Sequence, residues 1–211
     1  MSEDKTIIQE RIIGQNAAIR RIDPKDSKDI KNLQKIISAP SVQEWMDEVE
    51  GLTIDDLKAW AAKDSSDEYL FAISGSQNVD LTNIGEIQGF INIYKSDEVP
   101  GAIEVSYAKR PNTSSGQTAS GLRQAIVEFN KKFLTGDGEK IEPSIKVIAD
   151  IDEDNLDSIR VAGAAGFVKK DNFWELDWEK LNDKLIESSY GELGLQKNNG
   201  MVPQAPRNGR R

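Results

Sequence analysis

The stretch RPNTSSGQTASGLRQA, positions 110–125, is the first place to look for chemistry. Lys109, Arg110 and Pro111 lead into small polar residues, and these run into a helical pattern. Successive backbone N–H groups at a helix N-terminus can cradle a phosphate, provided that the side chains are small enough for close approach. Ser114, Ser115 and Thr118 add hydroxyl donors. A solvated turn that merely caps a helix uses the same residue types, and this stretch alone does not separate the two. Elsewhere the repertoire is narrow. The 211 residues include no cysteine and no histidine, which removes thiolate chemistry, disulfides, Cys-type zinc sites and imidazole bases. Reactions must run on carboxylates, tyrosine, lysine, backbone amides or bound water. The acidic run DIDEDNLD (150–157) lacks the glycine and distal glutamate of a calcium loop, so no metal is expected.

The elements that must position these residues follow from periodicity. NAAIRRID (16–23) reads as a strand, and Ile30, Leu33, Ile36 and Ile37 mark a helix capped by Asp26 or Ser27. A second helical region covers about 41–62, where SVQE fits a capping box and Thr53 precedes Leu57 and Trp60. Strands are expected at 69–74, 86–95 and 102–109, with a polar hairpin loop after the first. In 102–109, Ile103, Val105 and Tyr107 share one face, and Glu104, Ser106 and Ala108 the other. Leu122, Ala125, Ile126, Phe129 and Phe133 give a helix from Thr118 to Phe133. A loop, a strand at 145–151, a short helix and one or two closing strands complete the pattern. The Trp45/Trp60 and Trp174/Trp178 pairs read as core or partial core. A strand–helix–strand passage returns parallel, so strand 145–151 should lie parallel to 102–109, while 86–109 forms an antiparallel pair. The prediction is an α/β domain with one mixed, mainly antiparallel central sheet flanked by helices. It spans 17–189, after an extension at 1–16 and before a Gly-, Asn- and Arg-rich tail at 190–211, read as disordered.

A net charge of −9 argues against a nucleic-acid partner, which needs a basic footprint. The N-terminus carries no apolar signal segment and no apolar run reaches a membrane span. The expected compartment is therefore the cytoplasm, with no membrane partner.

The segment IADIDEDNLDSIRVAGAAGF resembles the strand–Asn–helix–Gly-Phe signature of the GNAT N-acetyltransferase superfamily. Asn155 falls on the family's asparagine, Ser158 on its serine, and Gly166-Phe167 on the Gly-Phe that opens the next strand. GFINIY (89–94) resembles its third strand. The likeness covers roughly residues 17–180, and it places the opening stretch as the family's acetyl-coenzyme A loop. Counting from Pro111 puts Ser114 on the usual Arg/Gln, Gln117 on the first glycine and Ala119 on the second. Only Ala119 matches in identity, and Gln117 is expected to carry a backbone cost where glycine would take a positive φ.

The resemblance implies acetyl-coenzyme A as co-substrate and direct attack by a primary amine, borne by a small molecule or a peptide. Coenzyme contacts are expected from Tyr107, Lys109, Ser114, Ser115, Gly116, Gln117, Thr118, Ala119 and Asn155. Each has a plainer alternative: packed aromatic for Tyr107, exposed charge for Lys109 and Arg110, helix cap for Asn155. Glu104 is the candidate base, acting through water. The tyrosine that the family often uses to protonate the departing thiolate is replaced by Ala162, and Ala162→Tyr is expected to raise turnover. An acyl-coenzyme A-binding or regulatory module of weak or no activity is the alternative. The acidic stretch 41–62, on the acceptor side in this family, fits a cationic acceptor or a plain solvated helix face.

Overall fold

The computed structural model describes residues 12–13, 17–75, 86–111, 113–134 and 145–192. The hairpin loop expected after residue 75, the loop expected before 145 and most of the tail lie outside them. The described strands are β1 (Ile12–Ile13), β2 (Ala17–Arg21), β3 (Glu68–Gly75), β4 (Ile87–Lys95), β5 (Ile103–Lys109), β6 (Val147–Ala149), β7 (Phe167–Lys170) and β8 (Phe173–Leu176). The α-helices are α1 (Ser27–Ile37), α2 (Pro40–Gln43), α3 (Ile54–Ala62), α4 (Ser115–Phe129), α5 (Leu156–Ala165) and α6 (Trp178–Glu192).

All eight strands join one sheet in the order β1-β2-β3-β4-β5-β6-β8-β7. Every neighbouring pair is antiparallel except β5 and β6, which run parallel through the crossover helix α4, as the strand–helix–strand reading requires. Strand alternation divides the core. Tyr69, Phe71, Ile73, Ile91, Ile93, Ile103 and Val105 face α4 and α5. Leu70, Ala72, Phe90 and Ala108 face α1 and α3. α1 docks through Ile30, Leu33, Ile36 and Ile37, and Asp26 caps it by accepting from the Lys28 amide. Inside that layer, Arg20 and Asp29 form a buried two-pronged ion pair at 2.5 and 2.6 Å.

Two glycines have steric reasons. A Cβ on Gly89 would meet the Ala108 carbonyl oxygen at 2.5 Å, so β4 and β5 pair closely only without one. Gly166 ends α5 with φ 108°, a left-handed cap that side chains resist.

The structure corrects several boundaries. The acidic region 41–62 is no continuous helix. Proline at 40 opens a helix of four residues, a 3-10 turn follows at Asp47–Val49, and α3 starts at Ile54. Ser41 therefore sits inside α2 and forms no capping box; Thr53 and Asp56 do. The strand expected at 145–151 is only three residues long. α6 runs to Glu192, past the boundary expected at 190, and Ile12–Ile13 of the N-terminal extension pairs with β2. No helix among the described residues is long and apolar enough to cross a membrane.

Candidate active site

The parallel ladder between β5 and β6 has two residue pairs, Ile103↔Val147 and Glu104↔Ile148. Beyond Glu104 the strands part, and a cleft of about 1000 Å³ opens against β5. One end is walled by the segment from α2 to α3 through Val42, Trp45, Met46, Leu52 and Trp60. The other runs past Tyr107, Lys109 and Pro111 to Thr118, Asn155 and Ser158.

Glu104 stands at the fork. Its carboxylate accepts from the Tyr94 hydroxyl at 2.9 Å and from Ser96 Oγ at 3.0 Å, which holds it in place while leaving lone pairs for a further donor. Burial pushes the Tyr94 phenol well above its usual range, and the charges of Glu104, Glu48 and Asp150 add to this. Tyr94 therefore stays neutral and remains a donor to Glu104. β-pairing lines up a row across three strands, because Tyr94 is opposite both Glu68 and Glu104. Glu68 gathers Trp60 Nε1 at 2.7 Å, Asn92 Nδ2 at 3.0 Å and the Lys63 ammonium. Neither Tyr94 nor this Glu68–Asn92 group was among the candidates from sequence. The signal was present, since Ile91 and Ile93 point to one core layer and so put Asn92 and Tyr94 on the opposite face.

The candidates from residues 109–119 divide. Glu104, Tyr107, Lys109, Thr118 and Asn155 share the cleft wall. Ser114, Ser115, Gly116, Gln117 and Ala119 are not on that wall. Ala119 is buried in the core, and Ser114 is the cap of α4, accepting from the Gln117 amide at 3.3 Å. The helix thus begins at Ser115 rather than near Thr118, and Gln117 has ordinary helical backbone with no positive-φ cost. The amides of Gln117 and Thr118 are already held by the Ser114 carbonyl. Those of Ser115 and Gly116, in the first turn, make no hydrogen bond among the described residues.

Arg110 is tied to Glu86 at 2.7 Å and to Asn32 at 3.0 Å, which removes it as a free phosphate cation, while Lys109 lies 3.8 Å from Asp157. Asn155 caps α5, accepting from the Ser158 amide at 3.0 Å, and also faces the cleft. Trp45 is not core: it is 38% exposed on the cleft.

Tyr107 bridges the fork by donating its hydroxyl to the Ser158 carbonyl at 2.8 Å, and burial pushes its ionisation upward. Ala162, one helical turn on, is 0% exposed within the same core layer. The expected gain from Ala162→Tyr therefore gives way to the opposite result. A phenol added there must displace packed side chains, at a cost of about 1–3 kcal/mol. The variant should show a lower denaturation midpoint and no increase in turnover.

A family model described as an acetyltransferase (GNAT) domain matches residues 18–168. No curated protein sequence matches. Among solved structures, the fold is similar to AAC(6')-Ib in complex with paromomycin and acetyl-coenzyme A, at 17% identity and a TM-score of 0.54, covering 79% of this chain and 96% of that one. It is similar to RimL, a ribosomal alpha-N-protein acetyltransferase in complex with coenzyme A, at 13% identity and a TM-score of 0.56, covering 76% and 85%. An uncharacterized protein from Bacillus halodurans aligns at 12% identity with a TM-score of 0.57, covering 89% and 98%. The mixed sheet with its single parallel joint, the signature from Asn155 to Phe167 and a domain match across most of the length carry one conclusion: the chain belongs to the GNAT acetyltransferase family.

Proposed function

We propose that the protein transfers an acetyl group from acetyl-coenzyme A to a primary amine by direct attack, with both substrates in the cleft at once. The observation that carries this reading is the fork itself. The β5 edge, an anchored carboxylate and Thr118 of α4 open onto one volume, and the first turn of α4 precedes Thr118 just beyond its wall. The pyrophosphate would lie at the outer end, on the Ser115 and Gly116 amides and the positive end of α4, with Lys109 nearby. The pantetheine arm would follow β5 past Tyr107, Thr118 and Asn155 into the fork. Two of the solved structures similar in fold are complexes with acetyl-coenzyme A or coenzyme A, and one of these also holds paromomycin.

At the fork the amine must first lose a proton. Glu104 takes it through a water molecule, so the nitrogen lone pair can attack the thioester carbonyl carbon. The new C–N bond forms, the C–S bond breaks, the nitrogen's second proton passes through solvent to the departing thiolate, and an amide and coenzyme A result. Free thiols have a pKa near 8.5, so the thiolate leaves without a dedicated acid, more slowly than with one. Tyr107 is not that acid, because its hydroxyl is committed to Ser158. The buried Ala162 keeps a binding module as the second reading.

The test is calorimetric titration with acetyl-coenzyme A, followed by a thiol-reagent assay of released coenzyme A over a panel of amines. The chain has no cysteine to add background. Binding with amine-dependent thiol release is expected. Binding without release on any amine supports the module, and absence of binding overturns both.

A further inference from the structure

The acceptor end of the cleft holds more negative charge than one amine needs. Glu104 supplies the base, yet Glu48 and Asp150 also line the cleft, and neither makes an ion pair among the described residues. Both are near enough for their charges to act on the Tyr94 phenol. No three acidic side chains among the described residues are grouped closely enough to hold a metal ion. The charge therefore faces a volume suited to an organic cation.

Asn92 is an independent pointer. It is 6% exposed, lines the same cleft, and its Oδ1 is buried with no hydrogen-bond donor. Its orientation is not arbitrary, since Nδ2 donates to Glu68, which Trp60 and Lys63 hold in turn. The network turns a bare acceptor oxygen away from Glu68. A buried acceptor without a donor is costly, and a ligand N–H offsets that cost. In register, Asn92 is opposite Ser106 and Tyr94 is opposite Glu104, so Asn92 and Glu104 are diagonal neighbours on one face. Such neighbours stand about 7 Å apart, the reach of a short alkyl or sugar spacer. Trp45 and Trp60, whose indole rings are of the type that attracts a cation, line the adjoining wall.

We propose that the acceptor carries two amino groups, both cationic at neutral pH: one is acetylated beside Glu104, and the second is held at Asn92 Oδ1 under the charges of Glu48 and Asp150. This rests on the amine-transfer reading and names its substrate class, a diamine or polyamine, free or as part of an amino sugar.

The test uses putrescine and butylamine, which share a chain and differ in the second ammonium. Each is titrated calorimetrically into the full-length protein with coenzyme A present, for wild type, Asn92→Leu and Glu48→Gln. Wild type should bind putrescine about tenfold or more tightly than butylamine. The preference should fall toward one in either variant, with butylamine affinity little changed. Glu48 is exposed, so its variant keeps the test valid if Asn92→Leu does not fold. Equal affinities in wild type, or a preference retained in both variants, overturn the proposal. Because binding is read without turnover, a preference with no acetylation in the thiol-release assay would sink the transfer reading and leave only the two-ammonium binding site standing.

Discussion

Glu104→Gln is expected to lower acetyl transfer by roughly 10² to 10⁴, the usual contribution of a positioned proton acceptor. The amide keeps the volume of the carboxylate; its one oxygen accepts from Tyr94 or Ser96 and its NH2 donates to the other hydroxyl, so the fold and the cleft wall should persist. What it loses is the ability to take a proton. The loss should lie in kcat, with the affinity for acetyl-coenzyme A unchanged by calorimetry. It should shrink as pH rises, because a growing fraction of the amine is then already deprotonated. Tyr94 does not confuse that profile, since its ionisation is pushed above its usual range. A Glu104→Gln enzyme as fast as wild type at neutral pH would remove Glu104 from the mechanism.

Ser115→Pro should weaken acetyl-coenzyme A binding by about tenfold to a hundredfold. Position 115 is the first residue of α4, where proline's fixed φ suits the helix and its missing N–H breaks no internal bond. The substitution therefore deletes one donor at the helix end without unfolding it. A hydrogen bond to a charged group is worth about 1.5–3 kcal/mol, which sets the range. Circular dichroism should be unchanged while the calorimetric Kd rises. Equal affinity in the two proteins would place the pyrophosphate elsewhere. Gln117→Gly, by contrast, should give no gain, because Gln117 already has helical backbone and glycine only weakens the first turn.

Much of the frame could be read from residue patterns because it depends on local rules. Alternation in 102–109 put Glu104 and Tyr107 on opposite faces of β5, and Asn155 was legible as a cap from its type alone. The start of α4 was hidden by Ser114 to Gln117, whose small polar residues suit loops and helix ends equally. Pro40 outweighed the apparent SVQE box because proline fits a first helical position so well. α6 was missed although Trp178, Leu181 and Leu185 repeat at helical spacing, and all three pack on the core. The Glu68–Asn92 group was out of reach for a different reason. Its members are 24 residues apart in the chain and meet only through the register of β3 on β4. Sequence spacing carries little information about such cross-strand partners.

β4 holds β5 along its whole length, whereas β6 holds it over two pairs only, so the spread of the fork depends on the angle set at that short joint. From Glu104 to Lys109 the β5 edge that β6 leaves unpaired runs about 16 Å at the usual rise per residue, so a change of roughly 4° between the two strands alters the opening at its far end by about 1 Å. A misplacement of that size can cost about 10²-fold in a positioned reaction. On the proposed reading, the packing of Ile103 and Val147 would thus set the aperture of the cleft and, through it, the aim of the thioester.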